Sequence, residues 1–452
     1  MKERLPELSK EQLQEVGEEL CPVQCVKDSL EVNEKGFTKQ NLGNAVRILK
    51  DDPMLKGAIC YNELTERIDI IKDLGWRRDD RAITDTDMAY IMYYVEQNYE
   101  FNNIRWVEKA IQVTANENRF HPIRDTLNSL VWDGIPRVDN MLTHFFGVEK
   151  TELITESMRV FMLGAVSRVF RPGIKFELTI CLVGDQGVGK STFFRFLAIK
   201  DEYFSDDLKR IDDEKIVVKL QGHWIIELAE MLAIVKAKHV EDTKDFISRQ
   251  SDTYRTPYAV NPRDRKRQCV FAGTSNKLEV LPMDKSGNRR IIPIEAHMEN
   301  AEVHILEDEE ASRAYILQAW AEIMEIYRGG AFKLTLSKRA SAELVKYQER
   351  YTPEDTDAEA IADFLEHTKE QYVCVSMLAR EALGYPAFEK LRKSDCNNIA
   401  EIMRTMPEWE KAGTRSVGVY GKQRVWKRKK PLRAEDGPAE EPEQLEIPFE
   451  VK

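Results

Sequence analysis

The stretch Leu178-Thr-Ile-Cys-Leu-Val-Gly-Asp-Gln-Gly-Val-Gly-Lys-Ser191 decides the fold of this chain. It begins with an uncharged apolar run, which is typical of a buried parallel strand. The glycines that follow allow the backbone to curl, so that successive N–H groups point at phosphate oxygens. We predict a helix from Thr192 to Ala198, which would present its free N–H groups and positive dipole end to the same phosphates. This order of elements predicts an α/β nucleotide-binding core.

The glycine-rich loop matches the pattern G-x-x-x-x-G-K-[ST], in which single positions have chemical roles. Lys190 is expected to reach the β- and γ-phosphates of ATP, and Ser191 is expected to place its hydroxyl on Mg²⁺. The residues predicted to contact the nucleotide are Gly184, Asp185, Gln186, Gly187, Val188, Gly189, Lys190, Ser191 and Thr192. The loop by itself does not distinguish a helicase from a kinase or a GTPase.

A candidate carboxylate site follows in Trp224-Ile-Ile-Glu-Leu-Ala-Glu230. An apolar strand that ends in an acid is the Walker B pattern, in which the carboxylate holds Mg²⁺ through water and polarises the attacking water. Glu227 is the first candidate for this catalytic and metal-binding role. Glu230 is the second, because two acids three residues apart on one helical turn would face the same site. The alternative reading is a solvated residue in the first turn of a helix.

The strand-like stretch Cys269-Val-Phe-Ala-Gly-Thr-Ser-Asn276 ends in small polar residues. An amide at the end of a strand beside the γ-phosphate can orient the attacking water, and Asn276 fits this role, with Thr274 and Ser275 as neighbours. An asparagine that caps a turn is the alternative.

Two arginines, Arg289 and Arg290, precede another apolar strand after the turn that Ser286-Gly-Asn288 predicts. An arginine in this position can reach the γ-phosphate bound by a neighbouring subunit, where it would raise the rate by about 10³ to 10⁵. A surface ion pair is the alternative for each of them.

The segment from Tyr254 to Arg267 lies between the carboxylate strand and the Asn276 strand. Its Asn-Pro turn and strand-like flanks predict a basic hairpin. Within a ring channel this hairpin would grip DNA phosphates, and a tyrosine on it would stack on a base. The candidates for DNA contact are Arg255, Tyr258, Arg263, Arg265, Lys266 and Arg267. A solvated charge cluster is the alternative.

The composition favours a soluble chain of several domains. It has 452 residues, of which 42% are hydrophobic and 32% charged, and no apolar run of membrane-spanning length. The 7 cysteines are scattered, which argues for a reducing cytosol. The net charge of −11 hides an asymmetry, because Arg404 to Lys430 carries +7 and Pro431 to Lys452 carries −5.

The basic block from Arg404 to Lys430 predicts a second DNA surface. Its candidates for DNA contact are Lys422, Arg424 and Lys427, which interleave with Trp409, Tyr420 and Trp426. Basic and aromatic side chains together suit contact with phosphates and stacking on bases. The alternative is a charged rim over an aromatic core.

The pattern of apolar residues and turns divides the chain into six parts. We predict a helical lead-in (1–34), a mostly helical N-terminal domain (35–150), the ATPase core (151–335), a helical connector (336–356), a winged-helix-like nucleic-acid-binding domain (357–430) and a disordered acidic tail (431–452).

Taken together, these residues resemble the virulence-associated protein E family, phage- and genomic-island-encoded ATPases related to superfamily 3 replicative helicases. Beyond the glycine-rich loop, the resemblance rests on Tyr61-Asn-Glu63, His121-Pro-Ile-Arg-Asp125, Trp132-Asp-Gly-Ile-Pro-Arg137, Glu227-Leu-Ala-Glu230, Lys244-Asp-Phe-Ile-Ser-Arg249, Asp252-Thr-Tyr-Arg-Thr-Pro-Tyr258, Gly273-Thr-Ser-Asn276 and Gly287-Asn-Arg-Arg290. It covers about residues 40 to 300.

The resemblance implies an α/β P-loop NTPase core of the AAA+ or superfamily 3 helicase type. It further implies an ATP-driven hexameric ring that acts on replication-origin or fork DNA in the cytoplasm of a bacterial host. Lys244 would belong to the helicase motif that leads to the DNA-gripping hairpin. Many relatives carry a primase domain ahead of the helicase, and here we expect any primase to be a separate protein.

The tail contains Gln444-Leu-Glu-Ile-Pro-Phe449, which resembles the short peptide that docks on the bacterial sliding clamp. The residues expected to contact the clamp are Gln444, Leu445, Ile447 and Phe449. An apolar anchor in an acidic tail suits recognition by folding on binding.

The sequence therefore predicts an ATP-dependent DNA helicase or origin-unwinding ATPase of a mobile element. One alternative is a DNA-binding replication initiator that uses ATP only as a switch. The other is a P-loop kinase that acts on a small molecule.

Overall fold

A computed structural model of the chain describes residues 22–208, 216–229, 240–254, 263–281, 285–352 and 355–429. Contacts within the chain divide it into two units, Met1–Thr352 and Pro353–Lys452. No helix in these described ranges is long and apolar enough to cross a membrane.

The first unit begins with an N-terminal module, which we define as residues 22–120. Its helices and strands are α1 (Pro22–Asp28), α2 (Leu42–Asp51), β1 (Ile59–Asn62), β2 (Arg67–Ile70), α3 (Asp85–Tyr99), α4 (Ile104–Glu117) and β3 (Arg119–Phe120). Strand β1 pairs antiparallel with β2 and parallel with β3. The predicted helices are present, but the small sheet was not predicted, because strands of two to four residues leave too short a pattern to recognise.

Three helices connect this module to the central sheet: α5 (Pro122–Ser129), α6 (Met141–Phe146) and α7 (Glu152–Phe170). Helix α7 is apolar on nearly every side and is buried along most of its length. Side chains of α5 and α6, such as Ile123 and Phe145, belong to the same hydrophobic cluster as the central sheet. The structure thus packs α5 and α6 with the core, whereas the sequence grouped these two with the N-terminal domain and only α7 with the core.

The central sheet contains five parallel strands: β4 (Thr179–Val183), β5 (Phe204–Ser205), β6 (Ile225–Leu228), β9 (Val270–Ser275) and β10 (Ile291–Glu295). They lie in the order β10-β4-β9-β6-β5. All five strands run in one direction, so their carboxyl ends form one edge of the sheet and their amino ends form the other. We call these the carboxyl edge and the amino edge.

The remaining helices of the first unit are α8 (Lys190–Leu197), α9 (Ile216–Leu220), α10 (Val240–Ser248), α11 (Glu309–Gly329) and α12 (Lys338–Gln348). Between β6 and β9 the strands β7 (Ser251–Tyr254) and β8 (Arg263–Lys266) form an antiparallel pair. This ladder confirms the stem of the predicted basic hairpin, and its tip lies outside the described residues. Helix α12, assigned to the connector, contacts α7 in the first unit.

The second unit contains α13 (Thr356–His367), β11 (Tyr372–Cys374), α14 (Val375–Met377), α15 (Lys393–Thr405), β12 (Trp409–Ser416) and β13 (Lys422–Arg428). Helix α14 continues into a π-helical turn, and the antiparallel sheet has the order β11-β13-β12. Trp409 and Trp426 are 6% and 5% exposed and pack in the core of this unit. The prediction that these two tryptophans share the basic surface is therefore wrong, and the alternative of an aromatic core is confirmed for them.

Candidate nucleotide site and nucleic-acid surfaces

The glycine-rich loop connects β4 to α8 at the carboxyl edge. Gly187 and Gly189 have φ angles of 91° and 85°, in the left-handed region that favours glycine. A Cβ on Gly189 would lie 2.4 Å from Cγ2 of Ile305, so no other residue fits there without displacing that side chain. Gly189 caps α8, which begins at Lys190 rather than at the predicted Thr192. The backbone N–H of Gly184 donates to the carbonyl of Ser275 and ties the loop to β9.

The ammonium of Lys190 lies at the centre of this loop, on a side chain that is 7% exposed. It donates to the carbonyls of Gly184 and Asp185, both at 2.7 Å, and to Oδ1 of Asn276 at 2.9 Å. Burial lowers the pKa of Lys190, while the nearby carboxylates of Asp185 and Glu227 oppose that shift. The fold thus joins two predicted site residues, Lys190 and Asn276, which are far apart in sequence.

Glu227 stands at the carboxyl edge on β6, and its side chain is only 1% exposed. Its Oε1 accepts hydrogen bonds from the hydroxyls of Ser191, at 2.8 Å, and of Thr274. Its Oε2 is buried and has no hydrogen-bond partner among the described residues. Burial raises the pKa of Glu227, while the bonds from Thr274 and Ser191 act in the opposite direction.

Thr274 has a larger part in this cluster than its sequence position suggested. The sequence identified it only as a neighbour of Asn276, yet its hydroxyl bonds directly to Glu227. Strand β9 lies between β4 and β6, and its carboxyl end therefore meets both the loop and the carboxylate. The signal in the sequence is a small hydroxyl residue that follows an apolar run, next to the last residue of β9.

Glu230 lies outside the described residues. The chain is still a strand at Leu228 and enters a turn at Ala229. The helical turn that was expected to aim Glu227 and Glu230 at one site is thus absent over Glu227 to Ala229, and the end of β6 places Glu227.

Arg289 and Arg290 lie in a short 3₁₀ helix, Lys285–Arg290, before β10. Ile291 pairs with Thr179, the first residue of β4, so both arginines are at the amino edge, opposite the loop. Arg290 Nε is 3.2 Å from Oε2 of Glu177 and 3.0 Å from the Ser248 hydroxyl. The ion-pair alternative therefore describes Arg290, and it describes Arg289 as well, because both pair with Glu177. Arg289 Nη2 is 3.5 Å from Oε1 of Glu177, and its side chain is 71% exposed.

The basic residues of the hairpin stem divide into exposed and buried members. Arg263 and Lys266 are exposed, and the partly buried Arg265 pairs with Glu66 at 2.9 Å. Arg267 is 3% exposed and makes two bonds to Asp252, at 2.6 and 2.8 Å.

Two of the residues predicted to contact DNA are inside the protein. Arg267 also donates to the carbonyl of Phe246 and lies 4.5 Å from the centre of its ring. Lys244 on α10 is 9% exposed and has an interaction partner. Neither residue belongs to the exposed basic surface of the monomer, which corrects the sequence-based grouping. Arg255 and Tyr258 lie outside the described residues.

In the second unit, Lys422 and Arg424 are exposed on β13, and Lys427 is partly buried. The phenol of Tyr420 donates to Oε1 of Glu381 at 2.6 Å and is held at the protein surface. The residues predicted to bind the sliding clamp, Gln444 to Phe449, lie outside the described residues.

A parallel sheet, a glycine-rich loop at its carboxyl edge, and the buried side chains of Lys190 and Glu227 beside Ser191 define a mixed α/β protein with a candidate phosphate site. The model of the virulence-associated protein E-like domain matches residues 127–353, which is half of the chain. The chain therefore belongs to the virulence-associated protein E-like family, as the sequence motifs indicated.

Two further comparisons complete this result. A search of the curated proteins found no match. Among solved structures, the chain is similar to the A form apo structure of the NrS-1 C terminal region, with 14% identity over 82% of this chain and 96% of that chain, and a TM-score of 0.44. A second apo structure of the same region gives 14% identity, 82% and 95% coverage, and a TM-score of 0.42. Scores of this size do not establish a common fold over the whole length.

Proposed function

We propose that this protein is an ATP-hydrolysing, DNA-acting motor of a phage or mobile element. ATP would bind at Gly184 to Thr192. The observation that carries the proposal is that two consecutive residues of α8 contact residues of two other strands: Lys190 bonds to Asn276, which follows β9, and Ser191 bonds to the buried Glu227 on β6. A carboxylate oxygen that is buried and has no partner among the described residues costs free energy unless a ligand or water satisfies it.

The residues present fit a magnesium ion. Ser191 supplies a hydroxyl, and Glu227 supplies hard carboxylate oxygens that suit Mg²⁺. Ser191 and Glu227 would hold the ion, which would supply positive charge to offset the negative charge that develops during phosphoryl transfer. Among the described residues no group of three or more His, Cys, Asp or Glu side chains could hold a metal, and two protein ligands are compatible with Mg²⁺, which takes few protein ligands in such sites.

Other roles in phosphoryl transfer would fall to protein side chains around the loop. Lys190 provides a positive charge, and its bonds to two loop carbonyls would be exchanged for phosphate oxygens. Oε2 of Glu227 would accept a hydrogen bond from the attacking water and orient it. Asn276 would hold that water from the other side through its amide. Thr274 fixes the carboxylate of Glu227 and leaves Oε2 for this task.

The position of Arg289 supports an oligomeric ring. Strand β4 has five residues, and at about 3.3 Å per residue the amino edge is roughly 13 Å from the loop. An exposed arginine at that distance does not serve the loop of its own chain. In a head-to-tail ring the amino edge of one subunit would instead meet the carboxyl edge of the next.

Two surfaces support contact with DNA. The hairpin stem presents Arg263 and Lys266, and its undescribed tip contains Arg255 and Tyr258. The second unit has the element order helix, strand, helix, helix and two strands of a winged helix, and it exposes Lys422 and Arg424. Phosphate contacts from such residues would bind DNA without regard to sequence.

The test is ATP hydrolysis by the purified full-length protein with and without single-stranded DNA, with Lys190→Ala as the control. We expect hydrolysis that DNA stimulates and that the variant lacks. A Lys190→Ala protein that hydrolyses at the wild-type rate would exclude the loop as the site. A strand-separation assay then distinguishes a motor from an ATP-dependent switch, which would hydrolyse ATP without unwinding. Transfer of phosphate to a small acceptor would indicate a kinase.

The tail motif is tested separately by deletion of Gln444 to Phe449. We expect loss of binding to the bacterial sliding clamp in a pull-down and unchanged hydrolysis. Clamp retention by the truncated chain would reject this part of the proposal.

A further inference from the structure

Two of the family motifs, Tyr61-Asn-Glu63 and His121-Pro-Ile-Arg-Asp125, have no part in the nucleotide site described above. They lie at the end of β1 and at the start of α5, far from the glycine-rich loop. The structure nevertheless brings them together with one residue of the central domain, Gln268, which stands just before β9. We call Glu63, His121, Arg124 and Gln268 the junction.

The junction forms a continuous chain of hydrogen bonds. The backbone N–H of Arg124 donates to Nδ1 of His121 at 3.2 Å, so the proton of the neutral ring is on Nε2. Nε2 of His121 then donates to Oε1 of Gln268 at 2.7 Å. The amide Nε2 of Gln268 donates to the carbonyl of Glu63 at 2.8 Å. Every member of this chain therefore has one consistent donor and acceptor role.

Arg124 closes the junction on the other side. Its Nη1 donates to Oε2 of Glu63 at 2.7 Å, and its Nε donates to the carbonyl of Val169 near the end of α7 at 3.0 Å. His121 is only 2% exposed, whereas the side chains of Arg124 and Glu63 are 28% and 26% exposed, so the network runs from a buried imidazole to a partly exposed ion pair. Buried polar networks with satisfied partners fix one arrangement of the elements that they join.

Gln268 lies in the chain between the hairpin stem and β9. On one side, β8 of the hairpin stem ends two residues earlier, at Lys266. On the other side, β9 runs for six buried residues to the carboxyl edge. There Thr274 bonds to Glu227, and Asn276 follows the strand to bond to Lys190. One extended segment thus connects the hairpin to the candidate hydrolysis site.

The N-terminal module also holds the stem at a second point. Glu66, in the turn between β1 and β2, pairs with Nη1 of Arg265 on β8 at 2.9 Å. The side-chain amide of Gln221 donates to the backbone carbonyl of Thr65 in the same turn. The turn from Glu63 to Glu66 therefore contacts the hairpin stem, the start of β9 and the segment that leads into β6.

We propose that the junction positions the hairpin stem against β9, and that DNA binding at the hairpin stimulates ATP hydrolysis only while this attachment is intact. His121, Gln268, Glu63 and Glu66 are positioning residues that act through β8 and β9. This inference rests on the proposed function and adds a role for the N-terminal module, which is to couple the DNA-contacting hairpin to the nucleotide site.

The test uses the full-length protein with Gln268→Leu. This change removes the two bonds that the Gln268 side chain makes, to Nε2 of His121 and to the carbonyl of Glu63. Gln97→Leu is the matched control, because Gln97 is exposed on α3, away from the junction residues in sequence. We expect Gln268→Leu to keep the DNA-independent hydrolysis rate and to lose at least about fivefold of the stimulation by single-stranded DNA, the lower end of usual coupling between sites. Gln97→Leu should retain both rates.

Amide hydrogen exchange provides a readout that does not depend on ATP. We expect the amides of β7 and β8 to exchange faster in Gln268→Leu than in Gln97→Leu, while those of β4 stay unchanged. If Gln268→Leu does not fold, Glu66→Gln replaces it, and a smaller change in the same direction is expected.

The outcomes separate this inference from the proposed function. Full DNA stimulation in the variant, or unchanged exchange in β7 and β8, overturns the positioning role of the junction. A wild-type protein without any ATP hydrolysis overturns the proposed function instead. In that case the exchange measurement still decides whether the junction holds the stem.

Discussion

Each edge of the central sheet has a buried charged side chain, and the two side chains differ in their hydrogen bonding. At the amino edge, Arg267 donates from Nε and Nη2 to the carboxylate of Asp252 and from Nη1 to the carbonyl of Phe246. At the carboxyl edge, Glu227 is as deeply buried but keeps Oε2 without a partner among the described residues. A buried charge whose partners are present fits a structural role, whereas a buried carboxylate oxygen with unused bonding capacity beside the glycine-rich loop is a candidate for contact with a ligand.

The largest expected effect is on hydrolysis, after substitution of the exposed arginine at the amino edge. Arg289→Ala should retain ATP binding and lose hydrolysis by about 10³- to 10⁵-fold, if its side chain acts on the site of the neighbouring subunit. Mixing this variant with Lys190→Ala should restore part of the rate, because some interfaces then combine an intact arginine with an intact loop. Steady-state hydrolysis across mixing ratios measures this.

Arg290→Ala is the comparison for that experiment. Arg290 bonds to Glu177 and to the Ser248 hydroxyl, so its loss should also lower the melting temperature, whereas Arg289→Ala should not. Hydrolysis by Arg289→Ala at the wild-type rate would contradict the role in a neighbouring site.

The second prediction concerns Glu227→Gln, which keeps the shape of the side chain and removes its charge. We expect hydrolysis to fall by about 10²- to 10⁴-fold, the usual contribution of a positioned acid or base. Nucleotide binding should persist, because Lys190 and the loop N–H groups remain. Single-turnover hydrolysis and nucleotide binding by fluorescence separate the two effects, and a variant that binds no nucleotide would assign Glu227 a binding role instead.

The third prediction concerns Arg267 at the amino edge, where we expect the stability of the fold to change more than the rate of hydrolysis. Arg267→Leu leaves Asp252, which is 6% exposed, without its partner. Removal of one member of a buried ion pair costs about 3–5 kcal/mol of unfolding free energy. We expect urea unfolding at a lower midpoint, with hydrolysis per folded molecule changed far less than in Glu227→Gln. Arg263→Leu is the matched control from the same basic run, and its exposed position should limit the change to about 0.5 kcal/mol.

The contrast between Arg263 and Arg267 shows what the sequence could predict. The strand, loop and helix around Lys190 were predictable, because a local pattern specifies both the backbone geometry and the chemistry. The four basic residues of Arg263-Asp-Arg-Lys-Arg267 look alike in sequence, yet the last of them is buried. The decisive partner, Asp252, is contributed by an earlier part of the chain, and a local pattern does not show such pairing.

Contacts between distant parts of the chain also explain the other differences between the sequence-based predictions and the structure. The tryptophans of the basic block face inward because β13 pairs with both β11 and β12 and builds a core there. Thr274 reaches Glu227 only because β9 lies between β4 and β6, which is a property of strand order. The contacts of Glu63 and His121 with Gln268 depend likewise on how the N-terminal module packs against the sheet.

The smallest expected effect is a pH dependence of stability that arises from Glu227 at the carboxyl edge. Burial raises the pKa of Glu227 above its value in the unfolded chain, so the unfolded state loses its proton first as pH rises. Wild-type stability should therefore decline relative to Glu227→Gln as pH increases above about 4.3, the ordinary pKa of a glutamate. Melting temperatures of both proteins between acidic and neutral pH measure this difference. A constant difference across that range would mean that Glu227 gains enough stabilisation from Ser191 and Thr274 to ionise as readily in the folded protein as in the unfolded chain.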